Sequence, residues 1–422
     1  MKPLALSLYL GLSRLAGPLA PFVLRRRLKR GKEDPARMGE RLGRAALPRP
    51  PGQVIWLHGA SVGEAMALLP LIGALRAQSG AEILLTTGTV TSARRVAPLL
   101  PEGARHQFVP VDTAQAVGRF LDHWRPDLAI WAESELWPRL VTETARRGIA
   151  MAMVNARLSA RSHARWLRAP GMARTLFGNF AAILAQDDQT VTRLADFAVA
   201  AENAGNLKAL VSVPDADAET LALFRRSVGE RPVWLAASTH PGEETQLLET
   251  QKVLARQMDA LLILAPRHPD RADAVAAEIR AAGLTYARRS EGRRPEASVQ
   301  VYLADSLGEM GLWYRLAPVS FVGGSLVAKG GHTPFEPIAC GSAVLHGPHV
   351  ENFAPAYEAL AEAGAVIGLP SAEALTAEIR DLLSSPEARA RQVQAARDVT
   401  KAISPDVVAI ANRLIGLAEV EL

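Results

Sequence analysis

Disulfide bonds, repeats and low-complexity tracts are all missing from this sequence of 422 residues. Its single cysteine, Cys340, excludes a disulfide within the chain and fits a reducing compartment. With 49% hydrophobic residues, the chain is too long for one ordinary core, so we expect two domains of roughly 200 residues each.

Excess positive charge is confined to one short segment. The formal net charge is +5, but residues 25–32 read RRRLKRGK, and without this octapeptide the net charge falls to about −1. The body of the protein is therefore nearly neutral, which argues against a nucleic-acid-binding protein.

An uninterrupted transmembrane run is also lacking. Residues 3–24 are largely apolar but contain Arg14, Pro18 and Pro21, whereas a spanning helix needs about 20 apolar residues. We expect residues 1–32 to comprise a membrane-associated apolar helix in the bilayer interface and the basic patch at its end, which binds anionic headgroups. A signal peptide fits poorly because the charges follow the apolar stretch. The basic patch predicts the cytoplasmic face of a membrane, with peripheral or monotopic attachment.

Short apolar segments alternate with longer helical patterns such as residues 64–78. This alternation is typical of βαβ units and predicts parallel sheets covered on both faces. The first series of predicted strands comprises residues 54–57, 82–86, 128–131, 151–155 and 183–186. The second series comprises residues 233–237, 261–265, 299–303, 319–322 and 344–346.

A polar stretch at residues 214–219 separates the two series. We therefore predict an α/β protein with two doubly wound domains that face a cleft, residues 33–207 and 208–405. Residues 406–422 have helical spacing and are expected to pack back on the first domain. Ligands of such sheets bind beyond the carboxyl ends of the strands.

Two glycine pairs follow the predicted strand 319–322, namely Gly323-Gly324 and Gly330-Gly331. Because glycine has no side chain, its N–H group can approach an anion closely, as in phosphate-binding loops. Glycine-rich loops alone are at least as often structural. The pattern nevertheless favours a phosphorylated ligand.

A helix is predicted directly after the second glycine pair. Thr333 is expected to be its N-cap and Pro334 its first residue. Glu336, one turn further, is long enough to accept hydrogen bonds from ribose hydroxyls.

The first predicted strand leads into HGASVGE, residues 58–64. Glu64 in the first turn of a helix suits a general base, but a glutamate there is also ordinary compensation of the helix dipole. The same letters contain Gly59-x-Ser61-x-Gly63, the pattern of a hydrolase nucleophile elbow. A hydrolase is disfavoured because the motif follows the first strand, whereas such an elbow normally follows several strands.

Other predicted strands also end in polar residues. Glu133 and Glu135 follow strand 128–131, and paired carboxylates can raise one another's pKa or bind hydroxyls. Arg157 follows the next strand, where it meets an acidic acceptor or pairs with one of these glutamates. Hydroxyl and cationic groups that suit phosphate follow two strands of the second domain: Ser238, Thr239, Arg267 and His268.

Metal ligation is not predicted. His346-x-x-His349 lacks acidic or thiol neighbours, and Asp215-x-Asp217 is better explained by capping of a helix.

Taken in order, seven motifs resemble those of the transferases of 3-deoxy-D-manno-octulosonic acid (Kdo), which act in lipopolysaccharide assembly. They are HGASVGE, ESELWP, VNARLS, GNLK, ASTHPGEE, APRHP and GGHTPFEP. The resemblance extends from about residue 31 to residue 353. It implies a GT-B fold, with the lipid A precursor bound by the first domain and CMP-Kdo by the second. It also implies membrane association at the N-terminus and neither a metal nor another cofactor.

The resemblance assigns roles to particular residues. Glu64 matches the catalytic base that activates an acceptor hydroxyl for inverting transfer. The acceptor side comprises Ser61, Gly63, Glu133, Glu135 and Arg157. The donor side comprises Lys208, Ser238, Thr239, Arg267, His268, Gly323, Gly324, Gly330, Gly331, His332, Glu336 and Asn352. Lys208 would counter the charge of the leaving phosphate, and Thr333 departs from the asparagine that many relatives carry.

Three alternatives stay open at this stage. The glycine loop and Glu336 would also suit a GT-B glycosyltransferase with another nucleotide sugar. A nucleotide-binding protein at the membrane surface that lacks enzymatic activity would have the same predicted domains. A serine hydrolase would require Ser61 as its nucleophile.

Overall fold

The computed structural model describes residues 3–133, 135–210 and 213–419, which form two compact units. The first unit comprises Met1–Leu210 and Ser404–Leu422, and the second comprises Val211–Ile403. Lys208, expected to begin the second domain, therefore lies in the first unit. The C-terminal segment also belongs to the first unit.

Each unit contains one seven-stranded sheet in which every recorded strand pair is parallel. The first sheet contains β1 (Val54–His58), β2 (Glu82–Thr87), β3 (Ala104–Phe108), β4 (Leu128–Ala132), β5 (Ala150–Ala156), β6 (Ala182–Ala185) and β7 (Glu202–Asn203). The second contains β8 (Val233–Thr239), β9 (Leu261–Pro266), β10 (Tyr286–Arg288), β11 (Val301–Leu303), β12 (Val319–Val322), β13 (Ala343–His346) and β14 (Ile367–Gly368).

The strand orders place a topological switch point in each sheet. The first sheet has the order β3-β2-β1-β4-β5-β6-β7, and the second has the order β10-β11-β9-β8-β12-β13-β14. The chain adds strands on one side of β1 and then continues from β4 on the other side, so the switch point lies between β1 and β4. In the second sheet it lies between β8 and β12 for the same reason. Open α/β sheets bind ligands beyond the carboxyl ends of strands at such points.

Helices connect the strands in both units. Those of the first unit are α1 (Leu4–Leu15), α2 (Ala20–Leu28), α3 (Met38–Arg41), α4 (Val62–Ala67), α5 (Leu69–Ser79), α6 (Val90–Val96), α7 (Ala114–Trp124), α8 (Pro138–Arg146), α9 (Ala160–Trp166), α10 (Pro170–Phe177), α11 (Asp188–Ala195) and, at the C-terminus, α20 (Val407–Glu419). Those of the second unit are α12 (Ala218–Val228), α13 (Glu244–Met258), α14 (Ala272–Ala281), α15 (Met310–Leu316), α16 (Phe335–Cys340), α17 (Ala354–Glu362), α18 (Ala372–Ser384) and α19 (Pro386–Ile403).

Both faces of the first sheet are buried, which explains why its strands read as continuous apolar runs. On one face Trp56 packs edge-on against Phe120 and Trp131, with ring centroids 4.8 Å apart in both pairs. On the other face α20 packs on α5 and buries Ala411 and Leu414. The C-terminal helix thus completes the core of the first unit.

Several elements differ from the prediction. The pattern at residues 64–78 is divided into α4 and α5, because Pro70 is tolerated only in the first turn of a helix. Strand 299–303 begins only at Val301. Four strands had not been predicted, β3, β7, β10 and β14; two of them have only two residues.

The predicted single N-terminal helix is also divided in two, because Gly17 and Pro18 interrupt it between α1 and α2. No single helix in the described part of the chain is long and apolar enough to cross a membrane. The pair Leu4–Leu15 and Gly17–Leu28, bent by 48°, would meet these criteria only together.

Candidate active site

Glu64 lies at the carboxyl end of β1, in the first turn of α4, and is only 7% exposed. Its carboxylate accepts hydrogen bonds from the Ala60 N–H at 2.8 Å and from the Ser61 hydroxyl at 2.6 Å. Ser61 is the N-cap of α4 and accepts the Glu64 N–H at 3.3 Å. Two donors therefore fix a nearly buried carboxylate at the switch point.

A Cβ atom at Gly59 would lie 3.0 Å from the Ala65 nitrogen, so glycine allows α4 to begin this close to β1. A Cβ atom at Gly63, in contrast, would meet open space. The requirement for glycine is therefore steric at Gly59 and not at Gly63.

The pKa of Glu64 is raised to about 7, mainly because burial disfavours the charged carboxylate. The negative charge of Glu133 contributes to the rise, and the hydrogen bond from Ser61 opposes it. A carboxylate with a pKa near neutrality can accept a proton from a substrate at physiological pH. Glu64 is therefore suited to general-base catalysis.

Glu133 follows β4 and adopts the left-handed backbone conformation, with φ of 56°. Such a conformation costs about 1–3 kcal/mol in a residue with a side chain and is often found at functional sites. Lys208 Nζ contacts Glu133 Oε1, an ion pair with little exposure on either side. The structure thus brings Lys208, predicted for the donor side, to the acidic residues of the first unit.

Lys208 is held by the end of β5. Asn155, also in a left-handed conformation with φ of 51°, accepts the Leu207 N–H at 2.8 Å. The Asn206 side chain accepts the Lys208 N–H at 2.9 Å. Three consecutive polar segments, after β1, β4 and β5, therefore contribute to one site.

The other predicted acceptor residues lie at the same sheet edge. Glu135 is partly buried, and burial raises its pKa. Arg157 follows β5 and is partly exposed. Ser61 donates its hydroxyl hydrogen to Glu64 and so helps to anchor the carboxylate.

In the second unit, the predicted donor residues gather at the carboxyl ends of β8, β9 and β12. Ser238 has φ of 56°, the same conformation as Glu133 at the end of β4. The Arg267 N–H donates to the Thr239 carbonyl at 3.0 Å, which joins the ends of β9 and β8. Arg267 and His268 themselves are exposed. The cationic side chain of Arg267 therefore lies at this edge, beside the imidazole of His268.

His332 lies beside His240, and their Nε2 atoms are 2.9 Å apart. Burial and, to a smaller extent, the neighbouring His240 lower the pKa of His332 to about 4. Burial likewise lowers the pKa of His240, with a contribution from His268. Both imidazoles are therefore neutral at physiological pH, and the N–H group of one ring forms a hydrogen bond to the unprotonated nitrogen of the other.

Three of the four glycine amides that were expected to face a ligand anion have acceptors within the protein. Gly323 N–H donates to the Ala237 carbonyl at 2.8 Å, Gly331 N–H to the Gly324 carbonyl at 2.8 Å, and Gly324 N–H to Glu243 at 2.7 Å. All three amides are thus bonded within the protein. The sequence did not reveal these internal acceptors, and binding of a ligand by the glycine loops stays a prediction.

The steric role of the glycines is clear. A Cβ atom at Gly323 would lie 2.7 Å from the Ser238 carbonyl oxygen, and one at Gly330 would lie 2.6 Å from the Asn352 side chain. The Asn352 amide donates to the Lys329 carbonyl at 3.0 Å and so secures this loop. These glycines therefore permit close packing between loops.

The helix after the second glycine pair begins one residue later than predicted. Pro334 occupies the N-cap position of α16, and the Thr333 hydroxyl accepts the Phe335 N–H at 3.3 Å. Glu336 lies in the first turn, as expected, and is partly exposed.

Sequence reasoning missed the importance of Glu243, which is fully buried before α13 and accepts four backbone N–H groups. The available signal was a second glutamate shortly after the first strand of a domain, the position that Glu64 has in the first unit. Asp217, in contrast, caps α12 as predicted, by accepting the Thr220 N–H at 2.7 Å. Within the described ranges, no group of three potential metal-ligating side chains is close enough to hold an ion.

Comparison with known proteins identifies the family. A family profile described as 3-Deoxy-D-manno-octulosonic-acid transferase (kdotransferase) matches residues 36–211. The 3-deoxy-D-manno-octulosonic acid transferase of Haemophilus influenzae is 36% identical over 373 residues, which are 86% of this chain and 87% of that protein. This chain belongs to the Kdo transferase family. The transferase of Bordetella pertussis, 37% identical over 382 residues, covers 87% of this chain and 88% of its own length.

Solved structures with low sequence identity support the fold. A glycosyltransferase from Rickettsia africae matches with a TM-score of 0.57 and 11% identity, over 88% of this chain and 99% of its own. A UDP-GlcNAc 2-epimerase from Neisseria meningitidis matches with a TM-score of 0.57 and 12% identity, over 88% of this chain and 100% of its own. The predicted GT-B fold is confirmed, as are the predicted family and the glycosyltransferase class.

Proposed function

We propose that this Kdo transferase moves Kdo from CMP-Kdo to a hydroxyl group of the lipid A precursor, with Glu64 as general base. The observation that carries this proposal is the buried carboxylate at the end of β1, held by Ala60 and Ser61, with a pKa of about 7. Its proton affinity suits the removal of a hydroxyl proton as the acceptor oxygen becomes nucleophilic.

The reaction is a single displacement at the anomeric carbon of Kdo. Glu64 takes the acceptor proton, the acceptor oxygen forms the new glycosidic bond, and the bond to the CMP phosphate breaks. The bonding electron pair leaves with CMP, and the configuration at the anomeric carbon inverts. Charge on the departing phosphate is countered by cationic groups, for which Arg267 at the end of β9 and Lys208 are our candidates.

Neither a metal nor a further cofactor has a role in this mechanism. The acidic residues Glu133 and Glu135 would orient the acceptor sugar, with Arg157 beside its anionic groups. Ser238, Thr239, His268, the glycine loops and Glu336 would bind the nucleotide and sugar of the donor. Asn352 would act through the loop that it secures.

The direct test is transfer from enzymatically formed CMP-Kdo to a tetraacylated lipid A precursor, with product mass as the readout. The wild type should give a product, and its mass counts the Kdo units added. A chelator added after CMP-Kdo has been formed should not change the rate. Absence of product from an enzyme that still binds CMP would contradict the proposed acceptor, and absence of CMP binding would contradict the donor.

We also propose that the protein works at the cytoplasmic face of the inner membrane. One face of α1 packs on the first unit, where Tyr9 donates to Asp112 at 2.8 Å and Leu6 is fully buried. The opposite face exposes Leu4, Leu8, Leu12 and Leu15, and Leu4 is 86% exposed. Exposed apolar residues beside a basic segment are typical of helices that lie in the membrane interface.

Exposed leucines allow a direct test of membrane attachment. Replacement of Leu8, Leu12 and Leu15 by serine should weaken binding to anionic vesicles by about 100-fold, because each partly inserted leucine contributes about 1 kcal/mol. Sedimentation with vesicles measures this binding. Unchanged binding would contradict the interfacial helix. The same measurement with neutral vesicles removes the contribution of the basic patch and so shows that of the leucines alone.

A further inference from the structure

Glu243 has an unusual environment for a carboxylate. It is fully buried immediately before α13, and no ion pair to it is found among the described residues. One oxygen accepts the N–H groups of His240 at 2.9 Å and Gly324 at 2.7 Å. The other accepts those of Ser325 at 3.0 Å and Leu326 at 2.9 Å. Four backbone donors thus surround one internal anion.

We propose that Glu243 is a positioning residue for donor binding, whose carboxylate fixes the loop after β12 in its binding conformation before the donor arrives. The inference rests on the proposed function, because it takes the second unit as the donor site. Consecutive amides that converge on one point are the usual arrangement for binding a phosphate. Here a side chain of the protein occupies that position.

The carboxylate joins the two strands at the switch point of the second sheet. His240 follows β8, whereas Gly324, Ser325 and Leu326 follow β12. The two loops touch because Gly323 has no side chain, since a Cβ atom there would lie 2.7 Å from the Ser238 carbonyl oxygen. A steric contact and an electrostatic contact therefore hold the same pair of strand ends together.

The loop held by Glu243 supports the remaining donor candidates. The Gly324 carbonyl accepts the Gly331 N–H at 2.8 Å, which places the second glycine pair. His332, directly after that pair, meets His240. The Ser325 carbonyl accepts the His349 N–H at 2.9 Å and so holds the segment after β13. Removal of the internal anion should therefore disturb several donor contacts together.

Glutamine is a sharp probe of this arrangement because it has nearly the same shape as glutamate. In Glu243→Gln, the amide oxygen accepts two of the four N–H groups, whereas the NH₂ group faces the other two as a donor. Glu244→Gln is the matched control. Glu244 is also fully buried, but its partners are the Thr239 hydroxyl at 3.1 Å and Arg271 at 2.7 Å, and not the loop amides.

The first experiment measures hydrogen exchange in the free protein and does not depend on any enzymatic activity. In the wild type, the amides of Gly324, Ser325 and Leu326 should be protected although they lie in a loop. Glu243→Gln should accelerate their exchange by at least about 10-fold, while β12 amides stay protected and Glu244→Gln changes neither. Unprotected loop amides in the wild type would overturn the proposal, even if the variant does not fold.

The second experiment measures the donor. Glu243→Gln should weaken CMP binding in calorimetry and raise KM for CMP-Kdo by about 10-fold, with kcat at saturating donor within about threefold of the wild type. Glu244→Gln should leave both parameters near wild type. A mobile loop with unchanged donor affinity would overturn the positioning role. Failure of Kdo transfer in the wild type, with exchange and CMP binding as expected, would contradict the proposed acceptor and leave this inference intact.

Discussion

Glu64 and Glu243 occupy equivalent places in the two units, yet their environments differ. Each is a buried glutamate shortly after the strand at the switch point of its sheet, β1 or β8, and each lies at the start of the following helix. Each accepts a backbone N–H from the preceding turn, that of Ala60 or that of His240. Glu64 has one further donor, the Ser61 hydroxyl, whereas Glu243 has three further backbone donors.

The number of donors determines what each carboxylate can do. Burial raises the pKa of both groups, and N–H donors oppose that rise by stabilising the charged form. Glu64 has few donors and a nearby negative charge, so it binds a proton readily near pH 7. Glu243 has no acceptor to which a protonated carboxyl could donate among its four N–H partners. One glutamate is thus suited to proton transfer and the other to fixing a loop.

The largest expected effect follows from removal of the base. Glu64→Gln should lower kcat for Kdo transfer by about 10²–10⁴-fold, because the glutamine side chain cannot take a proton from the hydroxyl group of the acceptor substrate. Product formation per unit time, measured by mass spectrometry, gives this number. Ser61→Ala is the control and should cost far less, because Ser61 only orients Glu64. A larger loss in Ser61→Ala would contradict the general-base assignment and favour a serine nucleophile.

The same two glutamates should have opposite effects on stability. The folded pKa of Glu64, about 7, lies above its ordinary value of 4.5, so the folded state loses stability as the pH rises from about 4.5 to about 7. Glu64→Gln should therefore raise the free energy of unfolding at pH 8 by about 3 kcal/mol, and the gain should vanish below about pH 4.5. Urea unfolding of the variant at both pH values measures this difference.

Removal of the buried charge of Glu243 also favours the folded state, but in Glu243→Gln two buried N–H groups lose their acceptor. We expect the second effect to dominate and to lower the free energy of unfolding by about 2–4 kcal/mol at pH 8. Stabilisation by both variants would show that Glu243 is a strained charge like Glu64. The comparison between the two sites would then fail.

The sequence predicted much of this fold because buried parallel strands are short, apolar runs. The prediction of strand 319–322 matches β12, and β1 extends the predicted strand by only one residue. Short edge strands such as β7 and β14 were missed because two residues contain no periodicity. The polar strand ends were identified because they directly follow these apolar runs. Glu64 was identified because it lies in the first helical turn after the first run.

Glu243 could not be identified in this way, because its role depends on contacts far along the chain. Its N–H partners at Gly324, Ser325 and Leu326 are more than 80 residues away. From the sequence, the N–H groups of the glycine loop had no evident acceptor, and only the fold brings the Glu243 carboxylate to them. Lys208 was assigned to the donor side for a similar reason, as its partner Glu133 is also distant in sequence.

The pH dependence of transfer tests the environment of Glu64 directly. Since the base must be deprotonated and its pKa is about 7, kcat/KM should fall about tenfold per unit as the pH decreases below 7. A profile of initial rates between pH 5 and 9 measures the inflection. An inflection near the ordinary value of 4.5 would contradict the claim that burial controls this carboxylate.

The smallest expected effect is a shift of that inflection. The charge of Glu133 is the second cause of the raised pKa of Glu64, after burial, so Glu133→Gln should move the inflection of kcat/KM to lower pH. Lys208, deprived of its carboxylate partner, would act in the same direction, because a nearby cation favours the ionised base. Glu135→Gln is the matched control, since Glu135 makes a smaller contribution and should shift the inflection less. If both variants shift the profile equally, the contact of Lys208 with Glu133 has no specific influence on the base, and the charge of the whole acidic segment would account for the effect.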